Sequence, residues 1–402
     1  MERSYNVLID NGLYILGHYL KKDIEDITIE DIKNSTELFA NKFGEYENCN
    51  YYKKNISMGF QNSAYFQGLK KDKETKKVCE TRVEKVKNQF DLILNNIGND
   101  EYCSICGKKH IKLDTDINYI SSATRCLMPH IHANTFANYM NNLQIINICP
   151  ICLYLSMISL YNCTKTSDTL TLYISDDGDF MEDYTYQKQL ELNQNIIAQA
   201  KESKKQKKYY TSIEETIQNI IHNTKIYDGY IQAISFNNST QVEKYIESFL
   251  SNKDINFIKT LEEKSLLSEF KEKGLFKALI NNNLQSNYLN CVFDYNKGKL
   301  RISEELFHDI EEVYNKLEKD KLDLIKNICN KIHKTNIKNE IRQLKAIDSL
   351  NKFEGMLLKW NEQYLKENNN NLFTLEEFDI LCDYKKYKQI KNRMLAQFML
   401  LN

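Results

Sequence analysis

The chain has 402 residues, with 54 Lys and Arg against 55 Asp and Glu and a hydrophobic share of 42%. That length suffices for two or three domains with real cores, and a net charge of −1 leaves any nucleic-acid role to local patches. Eleven cysteines in so long a chain do not form a disulfide framework and suggest a reducing cytoplasm.

Val7, Leu8, Leu13, Ile15, Leu16 and Leu20 predict an apolar opening helix with a break at Asp10-Asn11-Gly12, and Ile27, Ile29 and Ile32 predict a second short one. His18 reads as a packed histidine. The opening residues lack a basic n-region, so no signal peptide is expected. Residues 44 to 69 are rich in aromatics around Gln61-Asn62-Ser63. From Lys70 to Lys87 there are eight basic residues against four acidic ones. Basic charge beside aromatics suits a surface that tracks phosphates and stacks bases, although such a run also suits a solvated helix face.

Next come two pairs, Cys103-Ser-Ile-Cys106 and Cys149-Pro-Ile-Cys152, each with metal-knuckle spacing. Two intervening residues let both sulfurs of a pair face one ion while nearby amides offset their charge. Four thiolates complete a tetrahedral Zn²⁺ site and leave no position for water, so the metal is expected to be structural. The 42 residues between the pairs exceed the about 15 to 20 usual in compact ribbons. Gly107 suits the tight turn of a knuckle, and Leu153, Tyr154, Leu155, Ile158 and Leu160 predict a helix behind the second pair. A loop knuckle with a helix-terminal knuckle resembles a treble-clef finger. Between the pairs, His130 and His132 alternate and would share a face of a strand. The apolar stretch around 151 to 161 is far shorter than the roughly 20 residues needed to cross a bilayer, so no membrane role is expected.

Thr169 to Ile174 alternates as a strand, and Asp176-Asp-Gly-Asp179 reads as a hairpin turn. Residues 187 to 226 look helical and carry a basic run at Lys201, Lys204, Lys205, Lys207 and Lys208. Tyr230 to Phe236 reads as a strand, followed by a helix through Tyr245, Ile246 and Phe249. A hairpin is expected at Tyr288 to Ile302, turning at Asn296-Lys-Gly298. From Ser303 onward the pattern is helical, with stripes Leu306, Ile310, Val313, Leu317, Leu324, Ile328, Ile332 and Leu350, Phe353, Leu357, Trp360, Tyr364. Thr374-Leu-Glu-Glu377 is a capping box that starts the last helix. Between 321 and 360 nine basic residues face four acidic ones, so one bundle face could follow a phosphate backbone. The expected fold is α+β and mostly helical: an N-terminal mixed α/β domain over 1–302, including the finger at 103–152, and a C-terminal helical bundle over 303–402.

The Asn11-Gly12-Leu13 opening with Asp23-Ile-Glu-Asp-Ile27, Phe60-Gln-Asn62-Ser63, the paired knuckles with Ile148-Cys149-Pro150-Ile151-Cys152, and Ile234-Ser-Phe236-Asn237-Asn238-Ser239 together resemble the CXXC–CXXC family of CRISPR-associated proteins. That family supplies the large subunit of type I-B Cascade complexes in antiviral defence. The resemblance spans residues 1 to about 250 and implies a non-catalytic DNA- and RNA-binding subunit. Such a subunit sits near the 5′ end of the guide CRISPR RNA, checks the protospacer-adjacent motif on target double-stranded DNA, and helps open the duplex. Its implied partners are the backbone, 5′-handle and small subunits and a helicase-nuclease that does the cutting. On this sequence the metal ligands would be Cys103, Cys106, Cys149 and Cys152. Asn62 would be the candidate for base edges, and Lys70, Lys71, Lys73, Lys76 and Lys77, with Lys204, Lys205, Lys207 and Lys208, for nucleic-acid contacts.

The runner-up is a zinc-containing HNH-type nuclease, which also places a His motif between Cys-x-x-Cys pairs. His130, His132, Asn138 and Asn141 have that look, but no histidine follows Cys152 until His222. A zinc-stapled protein-interaction module is the third reading. No Walker loop, Gly-x-Gly-x-x-Gly or His-Glu-x-x-His anchors other chemistry.

Overall fold

The structure, a computed structural model, describes the chain apart from residues 51, 61–68, 70–71, 76–77, 96–100, 104, 111–147, 167, 202–212, 224–228, 239–242, 282–283, 285–290, 295–298, 316–317, 338 and 402. It is mostly helical with a small antiparallel sheet, and it divides into two compact units, Met1–Asn252 and Lys253–Asn402.

In the first unit, helix α1 (Val7–Leu20) starts where the Asn6 side chain accepts hydrogen bonds from the amides of Leu8 and Ile9. It runs through Asp10-Asn11-Gly12 without a break, contrary to the expectation from sequence. Each of these turn-forming residues is itself buried and held by a partner outside the helix. Asp10 is fully buried, accepts from the Ser4 amide and hydroxyl at 2.8 Å each, and pairs with the Arg3 guanidinium at 3.1 Å. Arg3 also donates to the carbonyls of Ser175 and Asp176. Asn11 donates to the carbonyls of Val7 and Tyr173 and accepts from Asn162. Gly12 admits a neighbouring helix so closely that a Cβ there would lie 2.0 Å from the Leu155 carbonyl oxygen.

A short 3₁₀ turn (Ile24–Asp26) and α2 (Ile29–Asn34), opened by a Thr28/Asp31 capping box, lead to α3 (Thr36–Asn48), α4 (Lys53–Phe60) and α5 (Arg82–Leu94). A two-residue ribbon, β1 (Glu101–Tyr102) with β2 (Lys109–His110), precedes α6 (Pro150–Ile158). Every residue of α6 is buried: α1 packs along it, and Phe39 of α3 and Phe90 of α5 meet the Tyr154 ring edge-on.

The main sheet takes its strands in chain order, β3 (Thr164–Thr166), β4 (Thr169–Ile174), β5 (Ile231–Asn238) and β6 (Glu243–Leu250), all antiparallel. Between β4 and β5 run α7 (Gly178–Lys201) and α8 (Ile213–Asn223). All six residues of β4 are buried because both faces are covered. Gly59 of α4 lies over Leu170 on one face, and Tyr184 of α7 meets Tyr173 on the other.

Two expectations fail here. Asp176 to Asp179 does not close a hairpin: Asp177 accepts from the Phe180 amide at 3.1 Å and so starts α7. Residues around Tyr245 form a strand and not a helix. They ladder against β5 from Ile231↔Leu250 to Asn238↔Glu243, and Tyr245, Ile246 and Phe249 supply the aromatic and β-branched side chains that strands favour.

The second unit begins earlier than the change of pattern at Ser303. Helices α9 (Asn252–Glu263), α10 (Leu267–Glu272) and α11 (Leu275–Ile280) belong almost wholly to it, since Phe257 meets Phe270 and Tyr314, and Lys264 pairs with Asp309 at 2.7 Å. Strands β7 (Phe293–Asp294) and β8 (Lys299–Leu300) pair as the expected hairpin, whose turn lies outside the described residues. Then come α12 (Glu304–Asp309) and a π-helical turn (Ile310–Tyr314). Helices α13 (Lys319–His333), α14 (Glu340–Lys345), α15 (Leu350–Asn368), α16 (Leu375–Leu381) and α17 (Tyr387–Leu401) complete the unit. The stripe on α15 is buried at Phe353, Leu357 and Trp360, whereas Val313, expected in the core, is 41% exposed. The Thr374/Glu377 capping box forms, but it opens α16 and a further helix comes after it.

Candidate metal centre

The two cysteine pairs meet. Cys103 and Cys106 sit in the tight connection of the β1–β2 ribbon, closed by hydrogen bonds from the Cys103 amide to the Lys108 carbonyl and from the Gly107 amide to the Cys103 carbonyl. Gly107 adopts φ +71°, the left-handed conformation that glycine enters without strain. Cys149 is the N-cap of α6, its sulfur accepting the Cys152 amide at 3.3 Å, and Pro150 occupies the first helical position, where a missing N–H costs nothing. The helix therefore holds Cys149 and Cys152 one turn apart at its positive end, a favourable place for thiolates.

All four sulfurs lie within 4.8 Å of one another, with Cys103 to Cys152 at 3.9 Å and Cys106 to Cys149 at 3.8 Å. A metal–sulfur bond of about 2.3 Å in a tetrahedron sets sulfurs about 3.8 Å apart, and a disulfide would need about 2.05 Å. The amides of Ile105 and Cys149 point at the Cys103 sulfur at 3.4 and 3.3 Å. Cys103, Cys149 and Cys152 are buried and Cys106 is half-buried. Among bare sulfurs, hydrogen bonds from Cys103, Cys149 and Cys152 hold Cys106 far below the ordinary thiol range. The thiol of Cys152 is driven up by Cys103, Cys106, Cys149 and burial. Four adjacent thiolates need a cation to coexist, so the donor set fits a thiophilic metal ion. Among the described residues no other group of His, Cys, Asp or Glu has metal-site geometry.

No known family model matches the chain, and no curated protein or solved structure matches it.

The other candidates fare differently. Asn62, Lys70, Lys71, Lys76, Lys77, Lys204, Lys205, Lys207 and Lys208, with His130 and His132, lie outside the described residues. Lys73 is exposed in a turn held by the Asp72 carboxylate. Farther along that run Arg82 pairs with Glu47 at 3.3 Å and Lys87 with Glu37 at 3.5 Å. In the second unit Lys352 pairs with Asp348 at 2.8 Å within the stretch from 321 to 360, and Lys321 pairs with Glu318 and Asp383 outside it, which neutralises part of the local positive excess. His18 is half-buried between Tyr19 and Tyr186, as a packed histidine would be.

A polar core in the first unit was not expected from sequence. Asn162 donates to Asn11 and Thr185, and Gln189 donates to Asn162 and to the Tyr161 carbonyl. Its one visible signal was the triplet Asp10-Asn11-Gly12, polar residues set inside an apolar helix.

Proposed function

We propose that the chain is the non-catalytic large subunit of a type I-B CRISPR RNA-guided surveillance complex. In this reading the four cysteines hold a structural Zn²⁺ in a treble-clef-like finger. The ion ties the β1–β2 ribbon to α6 and performs no chemistry. The subunit contacts the 5′ end of the guide RNA, recognises the protospacer-adjacent motif, helps form the R-loop and recruits a helicase-nuclease. Asn62 and the lysines at 70, 71, 73, 76, 77, 204, 205, 207 and 208 are its proposed nucleic-acid contacts.

One observation supports this reading most. Three of the four stretches that carry the resemblance converge on one core: Asn11-Gly12-Leu13 on α1, Ile148 to Cys152 at the head of α6, and Ile234 to Asn238 on β5. Gly12 meets α6 at Leu155, and Asn11 bonds to Tyr173 of β4, the neighbour of β5. Stretches far apart in sequence thus act as one structural unit.

Affinity purification of the tagged chain from its own host, with sequencing of bound RNA, tests the proposal. Discrete small RNAs sharing a repeat-derived 5′ end, together with a few stoichiometric proteins, are expected. A lone zinc protein without RNA, or metal-dependent cutting of plain DNA by the isolated chain, would overturn it. Elemental analysis should return one zinc per chain.

A further inference from the structure

A cleft of about 370 Å³ opens in the first unit between the C-terminal turns of α1 and the first turns of α7. Tyr14 lines it, only 4% exposed, and its hydroxyl has no hydrogen-bond partner among the described residues. Burial, opposed by the nearby Arg3 guanidinium, pushes the Tyr14 phenol up to about 12, so it stays neutral and can accept or donate. The Arg3 guanidinium, 5.6 Å from the Tyr14 ring centre, is already committed to Asp10 and two carbonyls.

One turn along, His18 meets the ring of Tyr186 edge-on at 6.0 Å. Burial lowers the His18 pKa, which leaves the imidazole neutral at pH 7. Asp23, Glu182 and Asp183 line the remainder, and burial together with Asp23, Asp179, Glu25 and Asp183 pushes the Glu182 carboxyl up. Of the lysines at the mouth, Lys22 is tied to both oxygens of Asp31 at 2.8 and 2.9 Å, and Lys21 is exposed at the C-cap.

The wall is rich in acceptors, with a phenol oxygen, a neutral imidazole, three carboxylates and the half-exposed ring of Tyr186, set against Lys21 as the one lysine at the mouth not tied to Asp31. Carboxylates in this number repel an anion. A metal ion is poorly served, because these groups do not converge at coordination distance. A planar cation with several N–H donors suits these acceptors best. It can donate to Tyr14, pair with the carboxylates and lie against an aromatic face.

We propose that this cleft is a recognition site for a guanidinium group, the arginine side chain of a partner polypeptide. The proposal is independent of the metal centre and of the reading given above.

Titration of the full chain with N-acetyl-arginine-N-methylamide, followed by calorimetry and by the His18 ring resonances, tests it. Saturable binding with Kd on the order of 1 mM is expected, since a single side chain makes few contacts. The citrulline counterpart, of similar shape but uncharged, should bind at least about tenfold more weakly, as should the Glu182→Gln/Asp183→Asn variant to the arginine probe. Tyr14→Phe removes only an unpartnered hydroxyl, so it should weaken binding while leaving the thermal midpoint in place. Equal binding of the citrulline probe, or unchanged affinity in all three substitutions, would overturn the proposal. Tighter binding of free L-arginine than of the blocked probe would overturn the polypeptide source and assign the cleft to a small molecule.

Discussion

The two units of this chain are held together by different means. The core of the first unit contains a buried ion pair, a string of side-chain amides and four clustered sulfurs beneath its apolar helices. The second relies mainly on apolar stripes, with Trp360, Phe353, Leu357 and Phe398 buried on α15 and α17. Polar networks are costly when incomplete, whereas apolar stripes fail gradually as contacts are lost. The first unit should therefore depend more on its chemical surroundings than the second, whose buried charges, Asp309, Glu311 and Arg393, are set among apolar stripes.

The largest expected effect comes from stripping metal from the four-cysteine cluster. Chelation, or Cys103→Ala, is expected to remove several of the ~10–16 kcal/mol that a structural zinc ion can supply. Calorimetry should then show the transition of the first unit falling by at least about 10 °C, with that of the second unmoved. A joint fall of both transitions would mean that the units unfold as one.

Gly12→Ala is the next largest perturbation. The new Cβ would meet the Leu155 carbonyl oxygen at 2.0 Å, and backbone on a buried helix has little room to retreat. A loss of about 3 kcal/mol in unfolding free energy, read from denaturant titration, is expected from overpacking alone. Trp360→Phe sharpens the contrast from the other side. It deletes the 2.8 Å bond from the indole N–H to Gln343, whose side chain lies on an exposed residue and can turn to water, so a cost of about 1 to 2 kcal/mol is expected.

The four-cysteine cluster was legible in sequence because Cys-x-x-Cys is a local geometric requirement, satisfied within each pair before the chain folds. The capping box at Thr374 and the strand at Thr169–Ile174 were legible for the same reason. What sequence hid was set by distant partners. Tyr245, Ile246 and Phe249 have spacings that suit a helical face, and only the ladder to β5 makes them a strand. Asp10-Asn11-Gly12 has the composition of a turn, and only Arg3, Asn162 and Leu155 make it part of a helix. The unit boundary at Asn252 was hidden too, because nothing in the composition of α9 says which neighbours Phe257 will find.

The π-helical turn after α12 closes with a bond from the Asn315 amide to the Ile310 carbonyl at 2.8 Å, one residue longer than an α-helical turn. One extra residue rotates the chain beyond the turn by about 100° relative to the helix before it. Within the turn Glu311 is fully buried, and Val313, on the anticipated apolar stripe, is exposed. Such a turn is what remains when a helix absorbs a single inserted residue without moving its flanks. Removing one residue between Ile310 and Tyr314 would restore ordinary periodicity locally and set the buried face of α12 out of step with the chain on its C-terminal side.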